Sequence, residues 1–119
     1  MYSPTAMQHF LKPRHAGALQ GPDVATGHAE NADCGDTATF FLRIVADRVA
    51  AVGFVSLGCA GAIAACSAAA SCLADQDLAT AQALNVAQIE ALLAPWPAAK
   101  RGCTAMAVAA VHRALGGAG

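Results

Sequence analysis

From Thr37 to Val45 the side chains alternate as a strand requires: Phe40, Leu42 and Ile44 fall on one face, and Thr39, Phe41 and Arg43 on the other. The run is rich in β-branched and aromatic residues, which suit a pleated surface. Ala46-Asp47-Arg48 is then a short connector. Val49 to Leu57 is a second strand, with Val52 and Phe54 on one face. Two strands joined so briefly are antiparallel neighbours. Ala25 to Asn31 carries a weaker strand signal and is a candidate third strand. A lone hairpin is only marginally stable, so this sheet needs helices on one face.

Helical patterns surround it. Ser3-Pro4 places an N-cap candidate before a proline at the first helical position, opening a short helix that should end near Leu11, before Lys12-Pro13-Arg14. Ala16 to Val24, with Gly17, Gly21 and Pro22, reads as loop. Gly58 ends the second strand, and Cys59 to Ala74 is an alanine-rich run that predicts a continuous helix. Leu78 to Ala83 and Asn85 to Ala94 predict two short helices. The second is capped by Asn85, carries a stripe of Ile89, Leu92 and Leu93, and is stopped by Pro95 and Pro97. A last amphipathic helix, Cys103 to Leu115, uses Val108, Val111 and Leu115 and should end at Gly116-Gly117. The reading is an α+β fold: a small antiparallel sheet of about three strands covered on one face by helices, with an N-terminal and a C-terminal helix, in one domain over residues 1–119.

Composition changes this picture little. The hydrophobic fraction of 56% is high, but alanine supplies most of the excess. The most apolar stretch, Cys59 to Ala74, holds Ser67, Ser71 and three cysteines and falls short of the roughly 20 strongly apolar residues that span a bilayer, so it reads as a buried helix. A net charge of −1 and few aromatic residues argue against a nucleic-acid or anionic-membrane partner. No basic region followed by an apolar stretch opens the chain, so a cytoplasmic location is expected. Five cysteines, an odd number, then favour free thiols used for metal or sulfur chemistry over a disulfide framework.

Three of the five lie at element boundaries. Cys34 sits in the turn Ala32-Asp33-Cys34-Gly35-Asp36, Cys59 follows Gly58, and Cys103 follows Gly102. A helix N-terminus offers free N–H groups and partial positive charge, so Cys59 and Cys103 are expected to be partly thiolate near neutral pH. The adjoining glycines should leave room for a bulky bound group. Spacing alone does not make a site, because separations of 25 and 44 residues match no short zinc or ferredoxin pattern. Cys66 and Cys72 read as small buried hydrophobes. Cys66 shares a helix face with Cys59 but lies about 10.5 Å further along. His9, His15, His28 and His112 read as hydrogen-bonded or solvated; only His28, on a possible strand near Cys34, is kept as a reserve ligand. Trp96, between two prolines, reads as a packing anchor for its loop. Asp36 on its own is a turn residue.

Several segments resemble the IscU/NifU-type iron–sulfur cluster assembly scaffold family. Tyr2-Ser3 and His9-Phe10-Leu11-Lys12-Pro13-Arg14-His15-Ala16-Gly17 are similar to its N-terminal segment. Glu30-Asn31-Ala32-Asp33-Cys34-Gly35-Asp36, Phe54-Val55-Ser56-Leu57-Gly58-Cys59-Ala60-Gly61-Ala62-Ile63-Ala64 and Lys100-Arg101-Gly102-Cys103 resemble its three cysteine motifs, in order. The resemblance implies a non-enzymatic scaffold. A cysteine desulfurase would supply sulfur, a transient [2Fe–2S] cluster of iron and sulfide would form on Cys34, Cys59 and Cys103, and apo acceptor proteins would receive it. Asp36 would be a hard oxygen ligand or a labilising group beside them. The isolated protein could instead hold zinc, and a different-class alternative is a zinc-binding sulfur acceptor that activates a desulfurase without a cluster of its own.

Two departures from the family pattern matter. Many members carry histidine immediately before the third cysteine, where this chain has Gly102. Members served by an Hsp70-type chaperone carry Leu-Pro-Pro-Val-Lys upstream, where this chain has Trp96-Pro97-Ala98-Ala99-Lys100, so that partner is doubtful. The chain is also expected to lack the extra cluster domain of full-length NifU proteins and the insertion of zinc-dependent sulfur acceptors.

Overall fold

The computed structural model describes residues 2–118. The order is α1 (Pro4–Leu11), β1 (Val24–Asn31), β2 (Asp36–Val45), β3 (Arg48–Leu57), α2 (Ala60–Leu73), α3 (Leu78–Gln82), α4 (Val86–Leu93), a 3₁₀ turn (Ala98–Lys100) and α5 (Arg101–Ala118). The three strands form one antiparallel sheet in the order β1-β2-β3, and α2 and α5 lie across one face of it. The α+β reading holds, including the weakly signalled third strand.

Alternation along β2 places Asp36, Ala38, Phe40 and Leu42 on the buried face, so the apolar face begins with a carboxylate. Phe40 pairs with Phe54 and Leu42 with Val52 across the β2–β3 ladder, and the two phenyl rings stack at 5.8 Å. An irregularity at Arg43/Ile44 puts Ile44 opposite Val49, which brings Val49 into the core and leaves Ala50 exposed. The expected three-residue connector is shorter: Ala46 and Asp47, both with positive φ, make the turn, and Arg48 already pairs with Val45.

Helix α2 is buried nearly all round and forms the centre of the molecule, against α1, α4, α5 and β3. Its Ser67 hydroxyl pairs with His9 Nδ1 and accepts from the Arg14 backbone N–H, both at 2.7 Å, which ties the segment after α1 down. The caps are as the sequence suggests. Ser3 caps α1 and also donates to the Leu93 carbonyl at 2.8 Å, and Asn85 and Gln88 form a capping box on α4.

The last helix differs from its expectation at both ends. It begins at Arg101, directly after the 3₁₀ turn, so Cys103 lies within its first turn instead of opening it. It also continues past Gly116-Gly117, because glycine is a poor helix former and not by itself a stop. Its buried face is Cys103, Met106, Ala107, Ala110, Val111, Ala114 and Leu115, while Val108 is only half-buried. These small residues let β1 approach very closely. A Cβ on Gly27 would lie 2.1 Å from the Ala110 carbonyl oxygen and 2.2 Å from the Ala114 nitrogen. Among the described residues, no helix is long and apolar enough to cross a membrane.

Candidate metal centre

The end of the sheet where β2 begins and β3 ends meets the first turns of α2 and α5. Asp36, Cys59 and Cys103 converge there, each offering a ligand atom within 4.8 Å of the others. Asp36 arrives as the first residue of β2 and is 5% exposed. Cys59 arrives as the N-cap of α2, with no side-chain capping bond to hold its sulfur elsewhere. Cys103 arrives on the buried face of α5. Both thiols donate to one oxygen, Asp36 Oδ2, at 3.6 Å from Cys59 and 3.8 Å from Cys103, and the two sulfurs are 4.0 Å apart.

The electrostatics differ from the sequence expectation at Cys103. Burial first, then the neighbouring Cys59 and Asp36, push its thiol up to about 12, against the opposing pull of Lys100. Cys103 therefore keeps its proton at neutral pH. A cation that binds Cys103 must therefore displace its proton.

Lys100 and Tyr2, to which the sequence reading gave no role in the site, complete the surroundings together with Trp96. Lys100 Nζ donates to Cys59 Sγ at 3.4 Å, and this contact raises the lysine's own pKa. Trp96 fixes that lysine by donating its indole N–H to the Lys100 carbonyl at 3.0 Å, so the anchor expected of Trp96 is an anchor of the site. Tyr2 stacks at a tilt on Trp96, with ring centroids 5.6 Å apart. Its pKa is raised chiefly by burial, with Lys100 opposing. The place of Lys100 three residues before Cys103 was a signal that could have found it.

The remaining candidates lie elsewhere. Cys34 is exposed in the β1–β2 turn, outside the three-residue cluster, and receives an N–H from Asn31 Nδ2 at 3.6 Å. Cys66 is fully buried in the core and its thiol is pushed up to about 12 by burial. Cys72 is half-buried, and burial raises its pKa too. His28, the reserve ligand, is on the exposed face of β1, bonded to Thr39 Oγ1 at 2.8 Å and 3.7 Å from Glu30. His112 pairs with the Leu84 carbonyl at 2.8 Å.

The glycines beside the cysteines do not leave empty room. A Cβ on Gly58 would lie 2.5 Å from Asp36 Oδ1, one on Gly61 2.9 Å from the Tyr2 hydroxyl, and one on Gly102 2.7 Å from Asn31 Nδ2. Each glycine makes space for a side chain of the site. Gly35 is the exception: open space surrounds it, and it is required by the turn, at φ +74°.

Comparison with known proteins follows the same lines. The family model described as NifU-like N terminal domain matches residues 1–117. The chain is 38% identical over 116 residues to the bifunctional protein NifU/MnmA of Rubrobacter xylanophilus, covering 96% of this chain and 24% of that protein. It is 40% identical over 110 residues to the nitrogen fixation protein NifU of Cereibacter sphaeroides, covering 92% and 44%. It is 30% identical over 115 residues to the iron–sulfur cluster assembly scaffold protein IscU 1 of Archaeoglobus fulgidus, covering 97% and 74%. The chain thus spans a quarter to less than half of the first two relatives and about three quarters of the third. The N-terminal part of a nitrogen-fixing NifU-like protein from Brucella abortus has the same fold, with a TM-score of 0.75 at 18% identity, covering 98% of this chain and 92% of that one.

Proposed function

This chain belongs to the NifU-like N-terminal domain family, and from that premise we propose that it is a non-enzymatic scaffold on which a [2Fe–2S] cluster is built as cargo and then given up to apo acceptor proteins. The observation that carries the reading is the convergence of Asp36, Cys59 and Cys103 within 4.8 Å at the end of the sheet. Sulfur comes from a cysteine desulfurase, and Cys34, on the exposed turn beside the cluster, is the third thiolate. The donor set fits iron bound for release, because thiolates hold Fe–S iron well and a carboxylate oxygen is a weaker, exchangeable partner.

The chain's own residues divide the work. Before loading, Cys103 keeps its proton, and the thiols of Cys59 and Cys103 share Asp36 Oδ2 as acceptor. Loading removes the thiol protons, and the Asp36 carboxylate is freed from the two thiols to face the metal. Lys100 stays beside Cys59 and offsets negative charge there. At release, the Asp36 oxygen is the first contact to give way to an acceptor's thiolate.

Anaerobic reconstitution with ferrous iron and sulfide tests this, read by iron and acid-labile sulfide content and by visible absorption. Equal iron and sulfide is the expected result, with Cys34→Ser, Cys59→Ser or Cys103→Ser each abolishing a stable cluster. Asp36→Ala should slow transfer to an apo-ferredoxin. Zinc retained with no uptake of sulfide would sink the scaffold reading and favour a sulfur acceptor.

A further inference from the structure

Gly102 stands immediately before Cys103 in the first turn of α5, at the place where many members of the family carry histidine. The space for that side chain is filled. A Cβ on Gly102 would lie 2.7 Å from Asn31 Nδ2, 3.0 Å from its Oδ1 and 3.1 Å from its Cγ. Asn31 comes from the other side of the site. It is the last residue of β1, directly opposite Asp36 in the ladder and, like Asp36, on the buried face, at 8% exposure.

The amide cannot simply swing away. Its Oδ1 accepts the Asp33 N–H at 3.3 Å, which turns Nδ2 toward the β1–β2 turn, where it donates to Cys34 Sγ at 3.6 Å. The Asn31 carbonyl also accepts the backbone N–H groups of Cys34 and Gly35, at 3.2 and 2.7 Å. One residue therefore closes the turn that carries Cys34, gives that sulfur an N–H donor, and occupies the place of a side chain at 102. An N–H directed at a ligating sulfur favours the thiolate and orients it, as outer hydrogen bonds do for metal ligands generally.

We propose that Asn31 is the positioning residue for Cys34, and that Asn31 and Gly102 are a coupled pair: the amide takes the volume that a ligand side chain on α5 would need and secures a third thiolate in exchange. The proposal rests on the scaffold reading above for the identity of the cargo, but it concerns the chain's own site and can be tested with a probe metal.

The experiment is an anaerobic Co(II) titration of the reduced protein, reading the thiolate-to-cobalt charge-transfer absorption and the affinity by chelator competition. Asn31→Ala should weaken Co(II) binding about tenfold to a hundredfold, the usual effect of losing an outer partner of a ligand. Its charge-transfer intensity should drop to that of Cys34→Ser, and combining it with Cys34→Ser should cost nothing further. Gly102→His should bind poorly while Asn31 is present and recover in the Asn31→Ala/Gly102→His double variant. Should Gly102→His not fold, the comparison of Asn31→Ala with Cys34→Ser decides alone. Wild-type affinity and absorption in Asn31→Ala, additive losses with Cys34→Ser, or equal loading of Gly102→His with and without Asn31 would each overturn the proposal. A wild-type protein that binds no Co(II) overturns it too. A protein that behaves as expected with Co(II) yet takes up no sulfide with iron removes the scaffold reading and leaves this one standing.

Discussion

At Cys103 two influences of opposite sign meet. The first turn of α5 offers N–H groups and partial positive charge, which favour a thiolate. Burial to 1% exposure, with Cys59 and Asp36 alongside, favours the thiol and wins, pushing the group up to about 12. Metal binding must then expel the Cys103 proton, so affinity depends on pH with a definite sign. Below its own pKa the thiol is protonated, and every rise in pH makes the proton easier to displace. Zn(II) affinity should therefore climb from about pH 6.5 to about pH 8.5, by roughly tenfold per pH unit for each proton released. Chelator competition at several pH values measures the slope. Cys103→Ser should make it shallower by one proton, and an unchanged slope would show that Cys103 does not ligate.

Among elements, the glycines set how closely the pieces approach, and two of them predict separable failures. Gly27 lets β1 lie against the backbone of α5. An alanine there meets Ala110 and Ala114 backbone atoms, which cannot yield as a side-chain tip can. Gly27→Ala should lower stability by about 1–3 kcal/mol, the usual cost of overpacking, or prevent folding. Gly58 instead makes space for the Asp36 carboxylate, a side chain that can move. Gly58→Ala should keep the fold and lose metal affinity as Asp36 is pushed from the cluster. Urea unfolding and Co(II) titration of the two variants separate them. A Gly58→Ala protein with wild-type affinity would mean that the Asp36 position is not needed for loading.

Across the whole molecule, the site joins the end of β2, the end of β3 and the first turns of α2 and α5. Anything bound there links parts of the chain far apart in sequence, and it binds only the folded form. Zn(II) at a hundredfold excess over its dissociation constant should stabilise the protein by about 2.7 kcal/mol and raise Tm by about 10 °C. Thermal unfolding with and without metal measures this. Cys103→Ser should show a much smaller rise, whereas Cys66→Ala, which alters a core residue away from the cluster, should start from a lower Tm and keep the full rise. An equal rise in wild type and Cys103→Ser would place the metal elsewhere.

Local chemistry decided what the sequence determined alone. Alternation from Phe40 to Phe54 specified a hairpin, Ser3 and Asn85 specified helix starts, and the alanine run after Cys59 specified a buried helix, because these depend on neighbours a few residues apart. The motifs around Cys34, Cys59 and Cys103 pointed to the family and to Asp36. Tertiary structure decided the rest. It put Asp36, Cys59 and Cys103 within reach of one another, left Cys34 on the turn outside them, and set Cys66 in the core. It also brought Lys100 to Cys59 and Asn31 to Gly102, contacts spanning 41 and 71 residues of sequence. The protonation of Cys103 belongs with these. A sequence shows that a thiol is near a helix start, but how much water it loses depends on which strands and helices close over it, and that desolvation outweighs the helix's own field.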